Sequence, residues 1–211
     1  MRSLMADMPS AALVRAIGRG SRYQRALEMT MLEKQSYVFK ETLKDGTAVT
    51  LRAARTDDGP RIRRALANLY PETIYRRFFG YKSDFSDAEV ERITGMDFEH
   101  NVALLVTIDS GDDEIIIGGA SYSAGDPASR TAEIAFTVEE DYQGLGIATL
   151  LLRHIIQIAR AKGLTRLEAD VITKNGPMLA VLRHSGLPIA MQSTGDAVHV
   201  TLSLNDSDRE D

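Results

Sequence analysis

The run Tyr142-Gln143-Gly144-Leu145-Gly146-Ile147-Ala148 has residue types and spacing suited to holding a phosphate. Glycine carries no Cβ, so two of them in one loop permit a tight turn and a close backbone approach to a ligand. The loop follows a β-branched run over residues 134–138 and opens an apolar-faced run over 147–162, giving the order strand, loop, helix. A helix begins with N–H groups that have no intrahelical acceptor, and its dipole places partial positive charge there. Such a junction is an anion site. Glu168 and Asp170, on the next expected strand, stand about where a dinucleotide-binding fold keeps its ribose-binding acid. The chain holds no cysteine, which excludes thiolate nucleophiles, disulfides and cysteine-ligated metals. Its four histidines, His100, His154, His184 and His199, lack zinc-like spacing, so no metal is expected.

These residues need elements to position them. Residues 37–43 and 48–53 flank Lys44-Asp45-Gly46-Thr47, whose Asp-Gly pair signals a hairpin. Asp57-Asp58-Gly59-Pro60 starts a helix that carries Ile62, Ala65, Leu66 and Leu69 on one face and ends at Pro71. A second helix is expected over 72–79, and Ser86-Asp87-Ala88-Glu89 is a capping box opening a third, to Thr94. Strands over 102–108, 114–122 and 131–138 form an antiparallel meander, followed by the glycine loop and its helix, which Gly163 stops. A strand over 165–172, parallel to its predecessor through the helical crossover, a short helix from Asn175 to Gly186, and a closing strand over 197–204 complete the reading.

With 211 residues and 44% hydrophobic content, one core and one domain over 37–204 are expected. An extension over 1–36, partly helical or disordered, would precede it, and a disordered tail over 205–211 would follow. The formal net charge of -5 argues against a nucleic-acid partner. No stretch is long and apolar enough for a membrane span, and the arginine-bearing amino terminus lacks a signal-peptide core, so a cytoplasmic location is expected.

Three features weigh against a dinucleotide site. Thr149 stands where a third glycine belongs, residues 139–143 separate the strand from the first glycine, and a meander precedes the loop in place of parallel βαβ units. Gln143, Gly146 and Ala148 instead fit the Gln/Arg-x-x-Gly-x-Gly/Ala pattern, and residues 49–204 resemble the GNAT N-acetyltransferase superfamily in element order. Within it, Arg76-Arg77-Phe78-Phe79, residues 96–104 and residues 132–138 look like the bacterial Pat-type protein-lysine acetyltransferases. That group often fuses this domain to a synthetase-like or cyclic-nucleotide-binding domain, and neither fits in residues 1–36.

The resemblance implies an α/β (α+β) fold with a central mixed, mostly antiparallel twisted sheet and helices on both faces. It also implies acetyl-coenzyme A as cosubstrate. Its pyrophosphate would lie on Gln143, Gly144, Leu145, Gly146, Ile147 and Ala148, its pantetheine arm against Phe136 and Val138, and Asn175 would hydrogen-bond the coenzyme or simply cap its helix. Acetyl transfer needs a free amine, and at pH 7 a lysine with reference pKa about 10.4 loses about 4 to 5 kcal/mol to deprotonation. Glu133, where Pat-type enzymes carry their catalytic glutamate, is the general-base candidate. Half-buried beside Ile134 and Phe136 it would be a better base; an outward-facing strand glutamate is the alternative. Many superfamily members place a tyrosine seven positions after the asparagine as general acid. Here that position is Leu182, with His184 and Ser185 nearby. Arg76, Phe78 and Phe79 would line the acceptor cleft, or serve as a solvated cation and core aromatics. The acceptor is a protein lysine, or a small amine; a coenzyme-binding module without catalysis is the third reading, and a homodimer stays open.

Overall fold

The computed structural model describes residues 33–205 except 35, 79, 81–84, 112 and 126. Of the extension expected over 1–36 and the tail expected over 205–211, residues 1–32, 35 and 206–211 lie outside the described residues. One eight-stranded sheet runs through the rest, in the order β1-β2-β3-β4-β5-β6-β8-β7. Its strands are β1 (Val38–Thr42), β2 (Ala48–Ala53), β3 (Asn101–Ser110), β4 (Asp113–Ser123), β5 (Thr131–Val138), β6 (Arg166–Ile172), β7 (Ile189–Ser193) and β8 (Ala197–Ser203). Only β5 and β6 pair in parallel; every other neighbour pair is antiparallel. The mixed, mostly antiparallel sheet read from the sequence is the one observed.

Five α-helices accompany the sheet among the described residues: α1 (Gly59–Asn68), α2 (Pro71–Phe78), α3 (Asp87–Thr94), α4 (Ile147–Ala161) and α5 (Gly176–Arg183). Their ends follow the local chemistry. Ser86 and Glu89 close the expected capping box on α3, Pro60 sits in the first turn of α1, and Gly163, at φ +77°, follows the end of α4.

The helices divide between the two faces because strand side chains alternate. On β3, Val102, Leu104 and Val106 enter the main core with Leu151, Ile155 and Ile158 of α4. Ala103 and Leu105 point the other way, into a second cluster with Ile62 of α1 and Val90 of α3. A central strand covered on both faces reads as a continuous apolar run, and β3 does.

A buried ion network fixes the start of α1. Arg52, fully buried on β2, donates both η nitrogens to Asp58 at 2.7 and 2.8 Å, and its Nε donates to Glu114 of β4 at 3.0 Å. Strand β7 is an addition to the sequence reading, which has one strand after α5. It is short, half exposed and at the sheet edge, so it lacks the apolar alternation that marks β8.

Candidate functional site

A cleft opens where β5 and β6 part. The strands are in register at Thr131↔Arg166, Ala132↔Leu167 and Glu133↔Glu168, and their pairing stops there. Beyond that point residues 134–138 form one wall and residues 169–171 the other, enclosing about 870 Å³ that reaches the glycine loop and α5. The β6-facing backbone edge of β5 is thereby released from the sheet ladder along the cleft, and it can pair with an extended ligand.

The glycine loop forms one end. Gly144 and Gly146 have φ of +80° and +97°, conformations that side chains rarely adopt, and Gly146 is the N-cap of α4. The first intrahelical bond there runs from the Leu150 N–H to the Gly146 carbonyl at 2.9 Å, and no side chain caps the end. The N–H groups of the first turn therefore lie free to meet an anion. Close packing sets the position of this helix: a Cβ on Gly118 of β4 would fall 2.8 Å from Ile147 Cγ2, so α4 begins against bare backbone. Gln143 bridges loop and sheet, its Nε2 donating to the Val138 carbonyl at 3.1 Å and approaching Thr73 Oγ1 of α2 at 3.4 Å.

Of the residues expected to hold the coenzyme, Phe136, Val138, Gln143, Gly144, Gly146, Ile147, Ala148 and Asn175 line this cleft. Leu145 does not. Its side chain packs against the main core, and its carbonyl accepts from the Lys44 N–H at 3.1 Å. Asn175 is the N-cap of α5, its Oδ1 accepting from the Met178 N–H at 3.3 Å, which is the helix-cap reading, and the residue also lines the cleft. Leu182 is fully buried in the main core while Val181 and Met178 face the cleft. His184 Nδ1 bonds the Ala180 carbonyl at 2.7 Å, Ser185 Oγ accepts from the Leu187 N–H at 3.3 Å, and neither lines the cleft.

Glu133 lines the cleft at the last paired residue of β5, where the splay begins, but its side chain is exposed. The half-buried setting expected beside Ile134 and Phe136 is corrected. Those residues stand one and three positions further along the strand, odd spacings that point them to the opposite face, toward α4, while Glu133 points toward α2. Arg76 and Arg77 of α2 share the cleft with it. Burial pulls the Arg77 guanidinium below its ordinary pKa, and the Glu133 carboxylate opposes that pull. Arg77 also borders an apolar cavity of about 100 Å³ beneath α1, lined by Ile62, Leu66, Leu105 and Ile116. Arg76 is exposed on the cleft; the side chain of Phe78 and all of Phe79 lie outside the described residues.

Lys44 also lines the cleft, although the sequence reading leaves it as one residue of a hairpin turn. No local signal marks it, because its neighbour is a loop a hundred residues away in sequence. No group of histidine, aspartate or glutamate side chains suited to a metal ion occurs among the described residues.

Comparison with known proteins bears on the family and the fold. The model of the acetyltransferase (GNAT) family matches residues 65–187. An acetyltransferase of Pseudomonas aeruginosa is 33% identical over 123 residues, covering 58% of the chain and 66% of that protein. The acetyltransferase Pat of Mycolicibacterium smegmatis is 31% identical over 115 residues, covering 54% of the chain and 34% of that protein. The chain thus matches about two thirds and one third of the lengths of these two relatives. The crystal structure of the GNAT domain of S. lividans PAT superposes with a TM-score of 0.72 at 28% identity, covering 79% of the chain and 97% of that domain.

Proposed function

Because the chain belongs to the acetyltransferase (GNAT) family, we propose that its cleft binds acetyl-coenzyme A and that the protein moves the acetyl group to a primary amine, with a protein lysine as the favoured acceptor. The observation that carries this reading is the alignment of three features along one cleft: the open amides of α4, the edge of β5 that β6 leaves beyond Glu133, and the carboxylate of Glu133 where the strands part. The residues fit the coenzyme. Open amides at a helix start and left-handed glycines suit a pyrophosphate, and a free strand edge suits the amide-bearing pantetheine arm.

When bound, acetyl-coenzyme A supplies a thioester carbonyl as electrophile. The chain's part is to bring an amine to it and to take up a proton. Glu133 is the acceptor of that proton: the amine nitrogen forms the new bond to carbon as the carbon–sulfur bond breaks, and the proton leaves the nitrogen for the carboxylate. Its exposure suits this task, since an acceptor carried on another protein must reach it from solvent. The backbone edge of β5 can supply N–H donors to the carbonyl oxygen as negative charge builds. Leu182 is turned into the core and offers no proton to sulfur. A thiol of pKa about 8.5 departs readily as thiolate, so that loss is tolerable.

An acceptor screen tests the reading. Release of free thiol from acetyl-coenzyme A is expected on addition of lysine-bearing proteins, with smaller or no release with polyamines and free amino acids. Release only with a small amine would move the acceptor class. Binding of acetyl-coenzyme A without release for any acceptor would leave a coenzyme-binding module in place of an enzyme.

A further inference from the structure

Lys44 occupies the turn of the β1–β2 hairpin, which precedes the part of the chain matched by the family model. The turn is built by its own residues. Asp45 accepts from the N–H and the hydroxyl of Thr47 at 3.0 and 2.9 Å, and Gly46 takes the left-handed conformation at φ +90°. One bond then joins this turn to the glycine loop, from the Lys44 N–H to the Leu145 carbonyl. Beyond that bond the side chain runs across Gly146. A Cβ on Gly146 would lie 3.6, 3.8 and 3.5 Å from Lys44 Cγ, Cδ and Cε, so the aliphatic stem rests on the bare glycine at the start of α4.

That placement puts a cation where the helix dipole disfavours one. Among the described residues no carboxylate lies within ion-pair distance of the Lys44 ammonium, whereas Lys40 pairs with Asp109 and Lys162 with Glu99. A positive side chain held against a positive helix end becomes favourable when an anion lies between them. Because the stem is already laid along the loop, less side-chain freedom is lost on binding than for an unsupported lysine.

We propose that Lys44 is a phosphate-binding residue of the donor site, its ammonium pairing with the pyrophosphate of acetyl-coenzyme A while the amides of α4 meet the other oxygens. The β1–β2 hairpin is then the outer wall of the coenzyme site. The inference rests on the assignment of the cleft to acetyl-coenzyme A.

Calorimetric titration of the full chain separates the two claims. Lys44→Met keeps the stem and removes the charge. It is expected to weaken acetyl-coenzyme A and its dephospho form by about ten-fold alike, the size of one charge-assisted hydrogen bond. Lys44→Arg is expected to restore most of that loss, and the salt dependence of binding should be shallower in Lys44→Met than in the unaltered protein. Equal affinities of the unaltered protein and Lys44→Met for acetyl-coenzyme A would overturn the role of Lys44 and leave the cleft assignment standing. A loss confined to the coenzyme that carries the 3′-phosphate would overturn the pyrophosphate pairing. Failure of the unaltered protein to bind acetyl-coenzyme A would overturn both claims.

Discussion

Glu133 is the residue on which the proposed chemistry turns, and its position decides how it can act. A base buried among apolar groups gains strength from desolvation; an exposed one works by being in place when the amine arrives. Replacement by glutamine keeps shape and removes the proton acceptor. Glu133→Gln is therefore expected to bind acetyl-coenzyme A as the unaltered protein does, while turnover falls by about 10²-fold or more at neutral pH. The deficit should shrink as pH rises toward the lysine reference value of about 10.4, since the free amine no longer needs a base. Stopped and steady-state rates between pH 7 and 10 check this; a pH–rate profile with the same shape in both proteins would remove Glu133 from the proton transfer. Residue type and family pattern single out this glutamate as a candidate, and it lies on β5 at the cleft. The half-buried setting expected for it counts apolar neighbours as surroundings, although a strand sends them to the other face; the outward-facing alternative is the one observed. Leu182 shows the reverse. Its identity alone excludes a proton donor, and its full burial shows that the position on α5 is turned away from the cleft.

At the scale of elements, the site depends on how closely α4 approaches the sheet. Ile147, its first residue, is buried against Gly118 of β4, next to the irregular register that interrupts the β3–β4 ladder after Val106. A methyl group on Gly118 would meet Ile147 Cγ2 at 2.8 Å and the Thr137 carbonyl at 3.3 Å, and neither is the free end of a long side chain. Gly118→Ala is expected to cost about 1 to 3 kcal/mol as overpacking. It should also weaken acetyl-coenzyme A, because the helix start is what moves. Urea denaturation and coenzyme titration on the same variant check both parts; lost stability with unchanged affinity would mean that the loop holds its place without Ile147. Helices and strands with strong periodicity, capping boxes or Asp-Gly turns were legible before any coordinates. Edge strand β7 was not, since half-exposed edge residues carry little pattern. Nor was the contact of the β1–β2 turn with the glycine loop, because a backbone bond between distant segments leaves no mark on residue types.

The whole molecule responds to acid through groups that the fold holds away from their ordinary protonation. His154 of α4 is buried between Tyr37 and Phe39, its Nδ1 2.7 Å from the Tyr37 hydroxyl and its Nε2 3.5 Å from Glu41 Oε1. Burial lowers its pKa, against the opposing pull of Glu41, so the folded protein favours the neutral ring. Among the described residues four aspartates are also held low, one of them Asp45, through the Thr47 N–H and hydroxyl. At Asp58 burial works against the shift, but Arg52 and the Arg55 N–H outweigh it. At Asp97 burial again opposes, and the N–H groups of Asn101, Glu99 and His100 prevail. Asp113 is held at about 2 by Arg61 and Arg64. In every case the folded pKa lies below the unfolded one, so the unfolded chain binds more protons as pH falls, and stability present at neutral pH is lost in acid. The loss should come in two stages. The first starts near the unfolded histidine value of about 6.5 and the second near the aspartate value of about 3.9, deepening toward the folded values. Thermal midpoints between pH 8 and 3 check this. His154→Gln, which cannot titrate, is expected to flatten the stage between about pH 6.5 and 5 and to leave the aspartate stage in place. An unchanged upper stage in that variant would mean that another group governs it, and that the buried contact between the first strand and the helix after the glycine loop is insensitive to pH.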